Sequence, residues 1–320
     1  MTAALPAVSV IVPATDAPAT LAACTEAIGR SSRPGCELIV VSDAALCTPA
    51  AARNAGAIRA RGEILVFVDA DVVVRPDAIE LLAGRLAHTA SLAAVFGSYD
   101  DDPRAPGVVS AYRFLLHRAV HHAAAGPAQT FWSGLGAVRR EAFFDVGGFD
   151  SGRRWLEDVD LGLRMRAAGH EIWLDPRAQG KHLKQLTLGA MVRSDVFERA
   201  LPWTVLLLRR RRGAGVLNLG PRHRLSALAS LVLARALARR RLVTASLALT
   251  AIAALNRSLI AAVGDARGNL AALLVVPLHA LHHLCGLAGA ALGVARWLLD
   301  GRPRGSAGDL DELFHDHRCV

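Results

Sequence analysis

Apolar and polar positions follow two periods along the first part of the chain. The runs Val8-Ser9-Val10-Ile11-Val12-Pro13, Glu37-Leu38-Ile39-Val40-Val41 and Glu63-Ile64-Leu65-Val66-Phe67-Val68 are rich in Val, Ile and Phe and read as buried strands. Helical patterns occupy residues 17–30 and about 49–60 between them, so strands and helices alternate. That order predicts an α/β fold with a doubly wound sheet. Further on, residues 157–169 predict an amphipathic helix, with Leu161, Leu163, Met165 and Ala168 at its buried positions and Gly169 as a left-handed stop. A short strand pattern at 171–174 precedes Asp175-Pro176.

The C-terminal third is patterned differently. Residues 270–295 contain no Asp, Glu, Lys or Arg, and that length suffices to cross a hydrocarbon core of roughly 30 Å. Residues 242–263 form a second apolar stretch, interrupted by Asn256-Arg257-Ser258, which reads either as a second span or as a buried core helix. No acidic residue occurs between Glu198 and Asp265, whereas Arg209 to Arg212, Arg222, Arg224, Arg235 and Arg239 to Arg241 precede the first stretch. Arg296, Arg302 and Arg304 follow the second, and the short connector holds only Asp265 and Arg267. The positive-inside rule then places both ends in the cytoplasm and the connector outside. The arginines of residues 209–241, interleaved with Leu225, Leu228, Leu231, Val232 and Leu237, read as interfacial helices on an anionic leaflet or as a solvated charged surface.

Composition agrees with a membrane-associated protein. The mean hydropathy of +0.32 is high for a soluble chain, and the excess lies in the C-terminal third. The net charge of +9 sits beside apolar stretches without an aromatic reading platform, which argues against nucleic acid as a partner. Cys24, Cys36, Cys47, Cys285 and Cys319 lack Cys-x-x-Cys spacing, so neither zinc nor a disulfide framework is expected and a reducing compartment suits them. No basic region precedes an apolar stretch at the N-terminus, so no signal peptide is expected. His279, His282 and His283 share one helical turn, which reads as an interfacial helix face rather than a metal site.

The third strand pattern stops at Asp69-Ala70-Asp71. Two carboxylates at i and i+2 beyond a buried strand bring hard oxygen ligands to the carboxyl edge of the sheet, where open α/β sheets bind ligands. A nucleoside diphosphate with Mg²⁺ or Mn²⁺ suits that edge, because these ions take one or two carboxylates plus phosphate oxygens. The same pattern also serves as a plain loop start with a helix cap.

Taken with its neighbours, the pattern carries a resemblance. Val8 to Pro13, Val40 to Asp43, Ala52-Arg53-Asn54-Ala55-Gly56 and Asp69-Ala70-Asp71 resemble the donor half of family 2 glycosyltransferases of the GT-A fold. Phe131-Trp132-Ser133-Gly134-Leu135-Gly136, Val146-Gly147-Gly148-Phe149-Asp150 and Trp155-Leu156-Glu157-Asp158-Val159-Asp160 resemble its acceptor half, in the same order. The resemblance covers roughly residues 8–185.

It implies an inverting, metal-dependent transfer of a sugar from a nucleotide-diphosphate donor. Asp71 becomes a metal ligand that helps offset charge on the leaving phosphates, with Asp69 beside the donor. Asp158 becomes the general base, with Glu157 and Asp160 in support. Asp43 matches an acid that contacts the nucleotide base, although the family's paired acids are Ser42-Asp43 here, followed by Ala44-Ala45. Arg53 matches a basic residue near the donor diphosphate or is a solvated helix arginine. Pro13 and Asp16 belong to the first donor loop, where Asp16 replaces the usual Asn and Ala14 an aromatic residue. His182 matches a histidine that completes the metal site or is an ordinary polar residue; Lys181 and Lys184 flank it as the chain's only lysines.

The apolar C-terminus and its basic collar imply a lipid acceptor, such as a polyprenyl phosphate or glycolipid precursor, at the cytoplasmic membrane with the catalytic domain in the cytosol. A Gln-x-x-Arg-Trp motif is missing from the sequence, so single-sugar transfer is expected rather than polymer synthesis. The expected organisation is a GT-A catalytic domain at 1–200, basic interfacial helices at 201–241, a transmembrane helical hairpin at 242–299 and a mobile tail at 300–320. Two alternatives are a nucleotidyltransferase, which needs a Gly-rich loop where Pro13-Ala14-Thr15-Asp16 stands, and a non-catalytic membrane scaffold with a degraded donor site.

Overall fold

The computed structural model describes residues 7–300 apart from 17, 34 and 211–219. Along the chain run β1 (Val8–Pro13), α1 (Leu21–Gly29), β2 (Glu37–Val41), α2 (Pro49–Arg59), β3 (Ile64–Val68), β4 (Val72–Val74), α3 (Ala78–His88) and β5 (Leu92–Tyr99). There follow α4 (Val108–Ala123), β6 (Gly126–Ala128), β7 (Leu135–Arg139), α5 (Arg140–Asp145), α6 (Glu157–Ala167) and β8 (Glu171–His182). The remainder is helical: α7 (Leu188–Arg193), a π-helical stretch (Ser194–Ala200), α8 (Leu201–Arg210), α9 (Pro221–Ala238), α10 (Leu242–Leu255), α11 (Arg257–Arg267) and α12 (Asn269–Leu299).

The chain divides into two compact units. The first is formed by residues up to Asp100 and by His121–Lys184. Its sheet runs in the order β2, β1, β3, β7, β5, β8, β4, and β6 pairs with β8. Pairing of β2, β1 and β3 is parallel, while β7 runs against both β3 and β5. The sheet is therefore mixed, as a GT-A fold requires. All five residues of β3 are buried, which explains why its pattern was apolar throughout rather than alternating. The register aligns Pro13 with Val41 and Ile11 with Phe67, so three parallel strands end at one edge.

Helix α2 begins at Thr48, whose hydroxyl accepts from the Ala51 amide at 3.1 Å, with Pro49 in the first turn. It lies close against β1, because a Cβ at Gly56 would stand 2.4 Å from Ile11 Cγ2. Helix α6 buries Leu161, Leu163 and Met165 and passes into Gly169 at φ +92°, as its pattern predicted. Ala168 departs from that pattern: it caps the helix and is exposed. Strand β8 is also longer than the pattern at 171–174, continuing through Asp175 and Pro176 because it pairs with β5 and then β4.

The second unit comprises residues 101–120 with those from Gln185 onward, so most of α4 belongs to the helical part. Leu233, Ala236, Ala245, Ala248, Ile252 and Ala280 form its apolar core. Among the described residues one helix, Asn269–Leu299, is by itself long and apolar enough to cross a membrane. The other apolar stretch is broken: α10 and α11 meet at a bend of 77°. Among the described residues Cys24, Cys36 and Cys285 are free thiols. Of the tail expected at 300–320, all but Asp300 lies outside the described residues, as do residues 211–219 of the basic stretch.

Candidate active site

Asp69 and Asp71 leave the end of β3, held by backbone bonds. The Asp69 amide donates to Gly134 O at 3.1 Å, and the Asp69 carbonyl accepts from the Val72 amide at 2.9 Å. Asp71 is then fixed against β8, since Val72 is in register with His182 and the Leu183 amide donates to Asp71 O at 2.8 Å. The two side chains meet, with His182 Nε2 3.3 Å from Asp71 Oδ2. Burial opposes ionisation of Asp71, but the hydrogen bond and charge of His182 outweigh it and hold the carboxyl below its usual range.

Arg53 ties this strand end to the start of α6. Its Nη2 donates to Asp69 Oδ1 at 2.6 Å and its Nη1 to Glu157 Oε1 at 2.7 Å, with the guanidinium over the Phe149 ring at 5.6 Å. Arg53 is 4 % exposed and Glu157 8 %, so the bridge is screened from water. Burial disfavours the guanidinium charge, but Asp69 and then Glu157 bind its proton more tightly than in water. Arg53 is thus a buried clamp between two carboxylates, not the solvated helix arginine that its sequence context also allowed.

The loop before α6 is fastened by the next residue of α2. Asn54 Nδ2 donates to Phe149 O at 2.7 Å and to Ser151 Oγ at 3.0 Å, while its Oδ1 accepts from the Phe149 amide at 2.9 Å. Gly148 makes this approach possible: it adopts φ +69°, and a Cβ there would stand 2.8 Å from Asn54 Oδ1. Leu156 then adopts φ +61° immediately before Glu157, a conformation that costs a non-glycine residue on the order of 1 kcal/mol or more. The strain lies next to the acid pair, where it sets the direction in which α6 begins.

Asp158 is half-buried at that helix start. Its Oδ2 accepts from the Ser133 amide at 3.3 Å and its Oδ1 from the Val159 amide at 2.7 Å. Burial and the adjacent Glu157 charge push its carboxyl up to about 7, against the opposing pull of Arg53 and the two amides. Asp160 faces away from this chemistry, 2.7 Å from Arg164 Nε and 3.7 Å from Arg153 Nε.

Arg53, Asp69 and Glu157 thus form one linked cluster, Asp158 adjoins it, and Asp71 and His182 form a second pair. Asp16 and Asp43 are exposed in turns after β1 and β2; Asp43 Oδ1 accepts from the Ala45 amide at 3.0 Å. Pro13 ends β1, and the following Ala14 amide donates to Val41 O at 2.8 Å. Asn54 and the Ser133 amide stand in the motifs above, but no local pattern signals their contacts with Phe149 and Asp158. Nor does one signal the aromatic contacts of Tyr99, whose ring lies 5.0 Å from both His182 and Trp132. Lys181 pairs with Asp100 at 2.9 Å.

The Asp71–His182 pair fits a divalent ion. Two cis ligands each about 2.1 Å from one ion stand about 3 Å apart, close to the 3.3 Å between these atoms. Among the described residues no cluster of three or more His, Cys, Asp or Glu could hold a metal, so remaining ligands would come from phosphate or water.

Residues 48–147 match the family model described as Glycosyl transferase family 2. The match spans about a third of the chain, which reads as a glycosyltransferase. The matched segment of this glycosyltransferase includes Arg53, Asp69, Asp71 and Ser133, while Asp158 and His182 lie beyond it. Among solved structures it is similar to mannosyltransferase PcManGT from Pyrobaculum calidifontis, described in complex with GDP-Man and Mn²⁺. Identity is 18% over 93% of this chain and 89% of that one, with a TM-score of 0.52. A second similar structure is GalNAc-T7 with UDP, GalNAc and Mn²⁺, at 15% identity over 65% of this chain and 51% of that chain; its TM-score of 0.45 is too low to carry weight. No curated protein sequence matches. The first likeness supports the same GT-A architecture for this glycosyltransferase that the mixed sheet displays.

Proposed function

We propose that this glycosyltransferase moves a hexose from a nucleoside diphosphate sugar to a hydroxyl of a lipid or lipid-linked acceptor at a membrane surface, with inversion at the anomeric carbon. The observation that carries this reading is Asp158, a carboxylate raised to about 7 and joined to the donor edge through Glu157, Arg53 and Asp69. A general base works best with a pKa near the ambient pH, and Asp158 meets that condition. A hydroxyl acceptor gives such a base a proton to take, which an ionised phosphate does not.

Asp71 and His182 would hold a Mg²⁺ or Mn²⁺ ion, which supplies Lewis-acid stabilisation of the leaving diphosphate. Arg53 keeps Asp69 and Glu157 in place at the donor edge. Asp158 takes the acceptor proton as its oxygen attacks the face of the sugar opposite the diphosphate, and Ser133 N–H and Val159 N–H hold the carboxylate in orientation. One base and direct displacement give inversion. The mannosyltransferase named above makes GDP-mannose the first donor to try. The exposed apolar surface of the helical unit favours an acceptor presented by a membrane, with the catalytic unit on its cytoplasmic side.

The test is a donor panel. Full-length protein in detergent with Mn²⁺ is given GDP-mannose, UDP-glucose, UDP-galactose or UDP-GlcNAc, together with lipid extract or defined glycolipids, and transfer is followed by mass. One donor should yield a lipid product of reversed anomeric configuration, and Asp158→Asn should abolish it. Retained configuration, or transfer undiminished in that variant, would overturn the mechanism.

A further inference from the structure

We propose that Tyr99 is a positioning residue of the metal pair: its ring, wedged between Trp132 and His182, sets the direction in which the His182 imidazole meets Asp71 and a divalent ion. The inference rests on the metal role given to Asp71 and His182 above, and it brings in a residue that stands outside all the motifs carrying the family resemblance.

A histidine ligand must have its ring held. Its χ2 torsion is broad, and turning the ring carries Nε2 away from the ion. The common device is a hydrogen bond from the other ring nitrogen to a carboxylate or a carbonyl. Among the described residues no group hydrogen-bonds Nδ1 of His182, whose side-chain partners are Asp71 Oδ2, 3.3 Å from Nε2, and the ring of Tyr99. The two ring centroids are 5.0 Å apart with 31° between the planes, a tilted stack that covers one face of the imidazole. The His182 side chain is 18 % exposed, so little of the ring is left to solvent, and the covered face is what narrows χ2.

Tyr99 is itself fixed. It is the last residue of β5, 8 % exposed, and is in register with Gly180 of β8, two residues before His182. Neighbours in register and residues two apart along a strand share a sheet face, so the two rings rise from the same side. Trp132 closes the other side of the wedge, its indole edge-on to Tyr99 at 5.0 Å and 87°. The indole is held in turn by His121, at 5.2 Å and 82°, whose Nδ1 donates to Gly97 O at 2.9 Å. Gly134 makes room for it, since a Cβ there would stand 2.5 Å from Trp132 Cζ2.

The wedge grows from the turn that orients the acids. The Ser133 amide, next to Trp132, donates to Asp158 Oδ2 at 3.3 Å, and the Gly134 carbonyl accepts from the Asp69 amide at 3.1 Å. Tyr99 thereby ties the metal pair to the loop that holds the base. Core packing alone also buries a tyrosine, and the two roles part on one point. Packing is indifferent to the chemistry of residue 182, whereas positioning acts only through the His182 imidazole.

The test titrates the protein in detergent with Mn²⁺ in the presence of GDP and, separately, UDP, with the bound ion followed by electron paramagnetic resonance. Tyr99→Leu should weaken Mn²⁺ binding about tenfold and reduce the nitrogen coupling of the bound ion to imidazole, whereas Tyr99→Phe, which keeps the ring, should hold both within about twofold. Tyr99→Met fills more of the space and carries the same expectation should Tyr99→Leu not fold. In a His182→Ala background either of these two aliphatic substitutions should add no further loss. Mn²⁺ binding unchanged in the folded variant, or an equal loss with His182 already removed, would overturn the role of Tyr99 while leaving the metal pair standing. Binding undiminished in His182→Ala alone would remove the metal assignment and this role together. None of these readouts needs transfer, so a failed donor panel is told apart from both.

Discussion

Replacing Asp158 by Asn should stabilise the protein while removing its activity. The carboxyl moves from 3.8 to about 7 on folding, and each pK unit corresponds to about 1.4 kcal/mol, so the ionised group costs the fold up to about 4 kcal/mol at pH 8. Asp158 is half-buried, so solvent screening on its open side brings the expected gain from Asn to about 2–3 kcal/mol. The amide oxygen can still accept from Ser133 N–H or Val159 N–H, which keeps the shape. A folded pKa above the unfolded value means that the stabilising contribution is present below pH 3.8 and is lost as pH rises to about 7. At pH 5 the folded carboxyl is largely protonated, and the advantage of Asn shrinks to about 1 kcal/mol. Thermal melts of both proteins at pH 5 and pH 8 should show the variant higher by roughly 5–9 °C at pH 8 and by much less at pH 5. Transfer by the variant should fall by roughly 10²-fold or more, with donor affinity changed only a few-fold. A variant no more stable than the parent at pH 8, or a gap independent of pH, would refute the electrostatic account of this group.

The other expectations concern neighbouring devices. Asp71→Ala and His182→Ala should each reduce Mn²⁺-dependent donor binding by tenfold or more, as read by calorimetric titration, while lowering the melting temperature only slightly through loss of their mutual pairing; undiminished affinity would dismiss the metal assignment. Arg53→Met should cost about 3–5 kcal/mol in chemical denaturation, because it strands Glu157 and Asp69 as unpaired carboxylates, and a loss under 1 kcal/mol would show that the bridge is solvated. Gly148→Ala should destabilise by about 1–2 kcal/mol and slow transfer, since it forces a Cβ against Asn54 at a positive φ, and wild-type melting would contradict that packing. Deletion after Pro221 should give aggregating protein in size-exclusion chromatography, because Tyr112 and Asp195 lose His279 and His282 as partners; a monodisperse, donor-binding fragment would show that the first unit stands alone.

The α/β class was legible in the sequence because buried parallel strands such as Ile64–Val68 are apolar at every position, and their period is local. The acids at strand and helix ends were legible too, since Asp69, Asp71, Glu157 and Asp158 are each set by the pattern that stops beside them. Their linkage was not. Arg53 lies 104 residues from Glu157 in sequence, and only packing of α2 on β1 and pinning of the Gly148 loop by Asn54 bring them within 2.7 Å. The raised carboxyl of Asp158 belongs to the same class, because desolvation and a neighbouring charge exist only once the chain has folded. Hydropathy likewise marked residues 242–263 and 270–295 as apolar but could not say how they run. Asn256, where α10 meets α11, and Arg267, at the end of α11, hydrogen-bond to residues 30 and more than 160 positions away. Local period determines which elements form, whereas pairing energies between distant polar groups decide where those elements turn.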